Sequence, residues 1–212
     1  MPRTPPDVNE RWLDSAEAPA ERVKLRDSAR TKARILEAAQ QLFSAGGYAH
    51  VGMREIAASA GVDVKMLARY FGSKEKLFAA ALYASTSTSE LWSRPKANFG
   101  RAVVDMFAND QDAALNPLRM LIQAASDPVA KEVALAFVRT ELVGSLASWL
   151  GPPDAEARAA QILALCAGFF AYRVMLPLEP FMGEVSPASR DWLETALQSL
   201  VAGPPANAGA PQ

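Results

Sequence analysis

The stretch MREIAASAGVDVKMLARYF, residues 53–71, decides the fold of this chain. Small and apolar residues recur at helical spacing on both sides of Gly61, which predicts two short helices joined by a tight turn. Gly61 can adopt the positive φ that the turn needs, and Ala57 is small enough to let the helices approach closely. Val62 and Leu67 would fill the angle between the two helices.

The second of these helices is predicted to begin at Asp63, whose side chain can accept a hydrogen bond from a free backbone N–H. Its outward positions are Val64, Lys65, Met66, Arg69 and Tyr70. Lysine and arginine bond guanine edges or phosphates, and apolar atoms touch thymine methyl groups, so this face suits a DNA major groove. The alternative is an ordinary helical hairpin without a nucleic-acid role.

The charge distribution points to the same part of the chain. Residues 21–77 carry a net charge of +5, against −2 for residues 1–20 and −4 for residues 78–212. A basic segment ahead of an acidic remainder suggests that a polyanion meets only the N-terminal part. Chance scatter of solvated charge is the alternative.

Composition excludes several classes of protein. One cysteine, Cys166, rules out an internal disulfide framework, suits a reducing cytoplasm and is expected to be a buried small hydrophobe. The longest apolar run, residues 162–172, is short of the ~20 residues of a membrane span, and we expect no membrane association. With a single histidine, His50, the chain lacks the residues for a metal site or a Ser/His/Asp triad. We therefore expect no catalytic residues, no metal and no cofactor.

Nearly every other segment also has helical periodicity, so the predicted fold class is all-α. The predicted organisation is an irregular arm at residues 1–27, a three-helix domain at 28–75, a larger helical domain at 76–202 and a tail at 203–212. The first helix is expected over residues 30–44, ended by Gly46-Gly47, and prolines are expected to separate the later helices.

The N-terminal residues resemble the TetR family of bacterial repressors across about 50 positions. The match preserves spacing and residue type over a three-helix unit and the start of the fourth helix. The matching positions are Thr31, Ile35-Leu36-Glu37-Ala38-Ala39, Leu42-Phe43, Gly46-Gly47-Tyr48, Met53-Arg54-Glu55-Ile56-Ala57, Ala60-Gly61-Val62 and Tyr70-Phe71-Gly72-Ser73-Lys74-Glu75-Lys76-Leu77.

The resemblance implies a helix-turn-helix DNA-binding domain, then a ligand-binding domain whose last two long helices hold a homodimer. An inducer bound to the second domain would change the distance between the two DNA-binding domains of the dimer, which would then release double-stranded operator DNA. By position, Lys65, Met66 and Arg69 would lie on the recognition helix, while Tyr70 and Lys74 would contact phosphates. Arg30, Lys32 and Arg34 would approach the DNA backbone from the first helix, and Arg54 completes the predicted DNA-binding set.

The chain departs from the family pattern where hydroxyl groups usually bind phosphate. Val51 and Gly52 stand at the start of the second helix, and Met66 and Ala68 replace Thr and Tyr. We hypothesise that the basic residues of the arm, Arg22, Lys24 and Arg26, replace part of the phosphate contacts that these hydroxyl groups would make. His50 is either a phosphate contact or an exposed turn residue.

The larger domain is rich in Met and aromatic residues, which are either core or the wall of a pocket for an apolar or amphipathic effector. Arg139 and Arg173 interrupt apolar runs and either orient a ligand or are solvated. The predicted ligand-binding residues are Trp92, Met106, Phe107, Met120, Phe137, Arg139, Phe169 and Arg173.

Two helices are predicted to form the dimer interface as a four-helix bundle, with intramolecular packing as the alternative. The predicted interface residues are Ala164, Ala167, Gly168, Ala171, Trp192, Leu193, Leu197 and Leu200. These observations predict a cytoplasmic, ligand-responsive repressor, and the family resemblance implies a drug-efflux or metabolic operon as its target. The alternative is a helical small-molecule-binding protein without DNA activity, and an enzyme is the least favoured class.

Overall fold

The computed structural model describes residues 18–85, 95–108 and 117–204, and every regular element in these ranges is a helix. The prediction of an all-α fold is confirmed. The first four helices are α1 (Ala18–His50), α2 (Met53–Ser59), α3 (Val64–Phe71) and α4 (Lys74–Ala84). A 3-10 turn, Lys96–Asn98, precedes the remaining helices. These are α5 (Phe99–Ala108), α6 (Pro117–Ala124), α7 (Pro128–Leu150), α8 (Ala155–Phe170) and α9 (Pro187–Ala202).

Helix α1 begins earlier than predicted. The prediction of an irregular arm through residue 27 is wrong for residues 18–27, which are helical, while residues 1–17 lie outside the described residues. Pro19 is tolerated in a first helical turn, and Glu21 lies near the positive end of the helix dipole. No glycine or proline follows until Gly46, so nothing in the sequence ends the helix. At Gly47 the backbone leaves the helix with a φ of +71°, at the predicted break.

Prolines begin the later helices, as the sequence predicts. Pro117, Pro128 and Pro187 are the first residues of α6, α7 and α9. Asp127 caps α7 by accepting from the N–H groups of Val129 and Ala130, each at 2.9 Å. Helix α7 contains a π-helical segment, Val138–Gly144, and α8 continues into a second one, Ala171–Met175.

The described residues form two apolar cores that do not coincide with the predicted domain boundary. The first core joins α1–α4 to α6 and the first half of α7, and it includes Met120, Ala130 and Phe137. The second core joins α5, the second half of α7, α8 and α9. Because the first core crosses residue 75, the N-terminal head and the regulatory helices are packed together as one body there.

Helices α5 and α9 pack unusually closely at Gly100. A Cβ at this position would lie 2.4 Å from the carbonyl oxygen of Glu194, so only glycine fits. The Gly100 N–H also donates to Gln198 Oε1 at 3.1 Å, and Arg190 pairs with Asp105 at 2.6 Å. These contacts fix α9 against α5 inside one subunit.

Arg158 is a buried structural residue that the sequence analysis missed. Only 6% of its surface is exposed, and its guanidinium meets backbone carbonyls where α7 and α9 end. Nε donates to Pro153 O at 2.9 Å, and Nη1 donates to Leu200 O and Val201 O at 3.1 Å each. Nη2 donates to Gly151 O. A cation that binds the free carbonyls of helix C-termini is favourable, so Arg158 ties these helix ends together.

One helix of the described chain, Pro128–Leu150, is long and apolar enough to cross a membrane, with a mean hydropathy of 1.4. The sequence prediction had considered only the shorter run at residues 162–172. The core helix of a globular protein has the same length and composition. Phe137 lies in the first core, and Leu146 and Leu150 lie in the second, each at most 5% exposed. In all, 33% of the apolar window of α7 is buried, and the helix contributes side chains to both cores.

Burial also determines the protonation state of the single cysteine. Cys166 is 8% exposed in the second core, and burial raises the pKa of its thiol to about 12. A thiol with this pKa stays protonated at neutral pH and is a poor nucleophile. The prediction of a buried small hydrophobe is confirmed.

Candidate nucleic-acid interface

The turn between α2 and α3 has the predicted geometry. Gly61 has a φ of +62°, and Val62 N–H donates to Ala57 O at 2.9 Å. Ala57 is 2% exposed, and Ile56 and Leu67 are fully buried between the helices. These contacts hold α3 rigidly against α2, which is what a helix that reads a DNA groove requires.

Arg34 has a role that the sequence analysis did not predict. Its Nη2 donates to Ala60 O and, at 3.4 Å, to Gly61 O. A Cβ on Gly61 would lie 2.7 Å from the same nitrogen. Arg34 therefore binds the turn through Nη2, and its approach to the DNA backbone stays a prediction.

Helix α3 presents the predicted outward face. Asp63 caps the helix, with Oδ1 2.7 Å from the Lys65 backbone nitrogen. Lys65, Met66 and Arg69 are exposed, Met66 by 36%, and Val64 is partly exposed. The face thus combines two long cations with a flexible apolar side chain, which is the chemistry that base edges and phosphates accept.

Tyr70 joins α3 to α1. Its hydroxyl lies 3.1 Å from Ser28 Oγ, and its ring is partly buried, with Arg69 Cζ 5.7 Å from the ring centroid. Ser28 is a site residue that the sequence analysis missed. The available signal was its position two helical turns before Ile35, which puts both residues on the same face of α1. The hydrogen bond between two hydroxyl groups uses one O–H, so the other O–H remains free to donate to a phosphate.

The start of α2 lacks the usual hydroxyl groups, as the sequence indicated. Val51 is 3% exposed and therefore cannot contact DNA, and Gly52 is the N-cap without a side chain. The Glu55 carboxylate accepts from the Gly52 N–H at 3.4 Å. Arg54 is exposed on the same helix, so its charge remains available to a phosphate.

The remaining basic candidates surround this face. Arg30 and Lys32 are exposed on α1, with Lys32 Nζ 5.9 Å from the Phe71 ring centroid. Lys74 is partly buried and its Nζ lies 4.3 Å from the Tyr48 ring centroid. Burial raises the pKa of Tyr48, with further contributions from the carboxylates of Asp127 and Glu75, so its ring is neutral at physiological pH.

His50 is exposed at the end of α1 and makes no recorded side-chain hydrogen bond within the described residues. Its position after the Gly47 kink matches the exposed turn residue that was one of its two interpretations.

The predicted ligand-binding residues do not come together as one wall. Met120 and Phe137 lie in the first core, whereas Phe107 and Phe169 lie in the second, with ring centroids 5.6 Å apart. Met106 and Arg139 are exposed, Arg173 donates to Phe181 O, and Trp92 lies outside the described residues. Hydropathy does not indicate which helix face meets which core. The sequence prediction therefore assigned residues of two separate cores to one pocket.

Neither of two surface clefts of the described residues is lined by a predicted ligand-binding residue. One lies beside Arg158 between α8 and the end of α9, and the other lies between α1 and the end of α2. No group of three metal-binding side chains occurs in the part of the chain that the structure describes.

The predicted dimer residues divide by burial, with Ala167, Ala171 and Leu200 only partly exposed. Leu193 and Leu197 are fully buried within the subunit, so their assignment to the dimer interface is wrong; close packing of α9 on α5 covers them. Ala164, Gly168 and Trp192 are exposed, Trp192 by 50%. The outer faces of α8 and α9 thus carry small residues and one large aromatic side chain.

Comparisons with known proteins agree with this geometry. Residues 35–81 match the model described as bacterial regulatory proteins, tetR family, and residues 97–201 match the tetracyclin repressor-like C-terminal domain. No curated protein matches the chain in sequence.

Three solved structures have the same fold over nearly their whole length. GusR of Salmonella enterica superposes with a TM-score of 0.64 at 18% identity, covering 82% of this chain and 96% of its own. A TetR-family regulator of a Rhodococcus species gives 0.63 at 17% identity, covering 80% and 97%. NalD, the secondary repressor of the MexAB-OprM multidrug efflux pump in Pseudomonas aeruginosa, gives 0.56 at 20% identity, covering 81% and 95%. With both family domains in order, the chain belongs to the TetR family of bacterial transcriptional regulators.

Proposed function

We propose that this protein is a cytoplasmic, ligand-responsive repressor that binds operator DNA as a homodimer through its helix-turn-helix. A small apolar or amphipathic effector releases it from the DNA. The observation that carries the proposal is the exposed face of α3, which presents Lys65, Met66 and Arg69. The turn before this helix is held by Gly61 and Arg34. Arg30, Lys32, Arg54, Val64, Tyr70 and Lys74 complete the proposed DNA-binding set.

The outer faces of α8 and α9 support the homodimer. Ala160, Ala164 and Gly168 are exposed at four-residue spacing on α8, and a Cβ at Gly168 would meet nothing within 4 Å. Tyr172 and Trp192 are about half exposed on the same two helices. Small residues permit close approach of a second pair of helices, and large aromatic side chains would be covered by it.

The seam between α1 and α6 supports a ligand response. Ser44 Oγ, Arg119 Nε and Gln123 Oε1 are buried side-chain atoms of these helices without a hydrogen-bond partner in the described residues. An unpaired buried polar group costs roughly 1–3 kcal/mol, so a rearrangement that pairs these atoms would be favoured. A seam of this kind, between the head and the regulatory helices, can rearrange when an effector stabilises another packing.

For the ligand itself, the proposal retains the aromatic and Met candidates as two groups. Phe107 and Phe169 belong to the second core, with Met106 and Arg173 nearby in sequence, and Met120 and Phe137 belong to the first, with Arg139 two residues after Phe137. Trp92, which lies outside the described residues, stays a candidate. A drug-efflux or metabolic operon is proposed as the target; among the structural neighbours, NalD is a repressor of an efflux pump.

DNA binding is tested with the fragment upstream of the protein's own gene, measured by fluorescence anisotropy against unrelated DNA. Arg69→Ala is expected to weaken operator binding by at least 10-fold, since a base or phosphate contact contributes about 1–3 kcal/mol. Lys131→Ala removes an exposed charge from α7 and is expected to leave binding unchanged. If the wild-type protein selects no genomic fragment, the proposed function is wrong.

The dimer is tested separately by size-exclusion chromatography with light scattering. Gly168→Arg adds bulk and charge where the subunit has open space, so the subunit is expected to fold but not to dimerise. A wild-type monomer at micromolar concentration would contradict the proposed homodimer.

A further inference from the structure

We propose that the two subunits of the dimer pair with their α8–α9 faces in opposite directions. The apolar end of each face then covers a cleft at the small-residue end of the other, and Trp192 of each subunit enters the cleft of its partner. This inference rests on the proposed homodimer, to which it adds the relative direction of the subunits and the residues that interlock.

One outer face of α8 and α9 carries both ends of this contact. Its exposed residues recur at helical spacing, which places them on one side of each helix. They are Ala157, Gln161, Ala164, Gly168 and Tyr172 along α8 and its π-helical continuation, and Trp192, Thr195 and Ser199 along α9. From Ala157 to Tyr172 the one charged residue is Arg158, which is buried. A second subunit that covers the α8 side of this face therefore desolvates no exposed charge there.

Large apolar side chains are concentrated at one end of this face. Ten of them are exposed among the described residues, and five lie within positions 172–192: Tyr172, Leu176, Leu178, Met182 and Trp192, each 46–68% exposed. The connection between α8 and α9 is held at this end, because Leu178 N–H donates to Tyr172 O at 2.8 Å and the ring centroids of Phe169 and Phe181 are 5.2 Å apart. Such a concentration of exposed apolar surface marks an interaction site.

A cleft of about 410 Å³ lies at the other end of the face. Ala157 and Gln161 of α8 and Ser199 of α9 line it together, so the two rows of exposed residues adjoin there. Arg158 also lines it, but its hydrogen bonds go to backbone carbonyls of its own subunit, so it stabilises the shape of the cleft. The volume is within the range of pockets that hold drug-sized ligands and is large enough for an indole side chain. Asp154, in the same lining, offers the acceptor that a buried indole N–H requires.

The positions of the two ends decide the direction of pairing. Trp192 precedes Ser199 by seven residues, or about 10 Å along α9, and does not line the cleft of its own subunit. In a two-fold interface, a contact of residue i with residue j is matched by a contact of j with i. Faces that run in the same direction would set the aromatic ends against each other and leave both clefts empty. Opposite directions set a large side chain against a small-residue cleft twice, as close packing requires.

Disulfide cross-linking of the full chain tests the direction. Trp192→Cys/Ser199→Cys is expected to form covalent dimers under mild oxidation, measured on a non-reducing gel. The two new cysteines of one subunit cannot pair with each other, because about 10 Å along a helix exceeds the ~7 Å limit between the Cα atoms of a disulfide. Either single variant is expected to stay unlinked, and so is the wild type, whose Cys166 is buried.

Ala164→Cys is the matched control, since Ala164 lies near the middle of the α8 row and meets its own copy whichever way the faces run. Cross-linking of Ala164→Cys without cross-linking of Trp192→Cys/Ser199→Cys would overturn the inference and leave the proposed homodimer intact. Cross-linking of Trp192→Cys alone, as fast as that of the double variant, would also overturn it, since the aromatic ends would then face each other. A wild-type monomer by light scattering would instead contradict the homodimer itself.

Two further variants test the occupant of the cleft. Trp192→Ala removes the inserted side chain, and Ala157→Trp fills the cleft that receives it. Each is expected to raise the dissociation constant of the dimer at least about 10-fold in analytical ultracentrifugation, because a buried tryptophan is a typical hot spot of an interface. Leu135→Ala, which removes an exposed apolar side chain from α7, is the control and is expected to leave dimerisation unchanged.

Mixing the two variants gives the sharpest readout. A Trp192→Ala subunit keeps its open cleft, and an Ala157→Trp subunit keeps its Trp192, so the mixture is expected to dimerise more tightly than either variant alone. A general apolar attraction between the faces predicts the opposite sign for Ala157→Trp, since that variant adds apolar surface. Tighter dimers of Ala157→Trp, or unchanged dimers of Trp192→Ala that leave this side chain for a different partner, would overturn the inference.

Discussion

The N-terminal head and the regulatory domain differ in how their functional residues are brought together. In the head, the proposed DNA-reading residues lie on one eight-residue helix, and one short turn orients them. In the regulatory domain, the four buried residues of the predicted ligand set lie on separate helices and belong to two cores, Met120 and Phe137 to one and Phe107 and Phe169 to the other. A surface made by one helix can be identified from local spacing, whereas a cavity depends on which helices pack together.

The largest expected effect is at Arg158, where contacts between distant residues stabilise the regulatory domain. Arg158→Met is expected to lower the free energy of unfolding by about 3 kcal/mol, because carbonyls of Gly151, Pro153, Leu200 and Val201 lose their donor. Urea denaturation measures the change. Arg139→Met is the matched control at an exposed position and is expected to change stability by less than about 0.5 kcal/mol.

A second test concerns the close packing of α5 and α9. Gly100→Ala is expected to cost about 2 kcal/mol, since its Cβ would lie 2.4 Å from a backbone oxygen and the helices must separate. Gly168→Ala, also within a helix but without a contact inside its own subunit, is expected to cost much less than Gly100→Ala. Equal effects of the two substitutions in urea denaturation would contradict this packing.

A third test concerns the turn at Gly61 in the N-terminal head. Gly61→Ala is expected to cost about 1–2 kcal/mol, because the left-handed backbone disfavours a side chain and Arg34 must move away. The change is measured by thermal or urea unfolding. At Gly52 the φ is −103° and a Cβ would meet nothing within 4 Å, so Gly52→Ala should cost less than Gly61→Ala. The reverse order would show that the turn does not limit the stability of the head.

The smallest expected effect concerns the contact between α1 and α3. Ser28→Ala, Tyr70→Phe and the double variant form a mutant cycle with an expected coupling energy of about 1 kcal/mol. The free energy of unfolding of all four proteins provides the measurement. Additive effects of the two substitutions would mean that the hydroxyl pair does not hold α1 to α3.

The failures of the sequence prediction also have physical causes. Arg34 and Lys32 look equivalent on a helical surface, yet only Arg34 lies beside the carbonyls of the turn. Leu193 and Leu197 were predicted to lie in a dimer interface because apolar residues on the last helix can pack either against a second subunit or within their own. Their burial against α5 follows from the close approach at Gly100, which no local pattern reports.

The sequence by itself determined the helical fold class, the turn at Gly61, the cap at Asp63 and the outward face of α3. Each depends on residues within about one or two helical turns of one another, and propensity and spacing act at that range. Only the tertiary structure decided the partners of Arg34, Ser28 and Arg158 and the division of the aromatic residues between two cores. The contacts of Arg34 with Ala60, Ser28 with Tyr70 and Arg158 with Val201 join residues 26, 42 and 43 positions apart, and chain folding rather than local periodicity determines which of them meet.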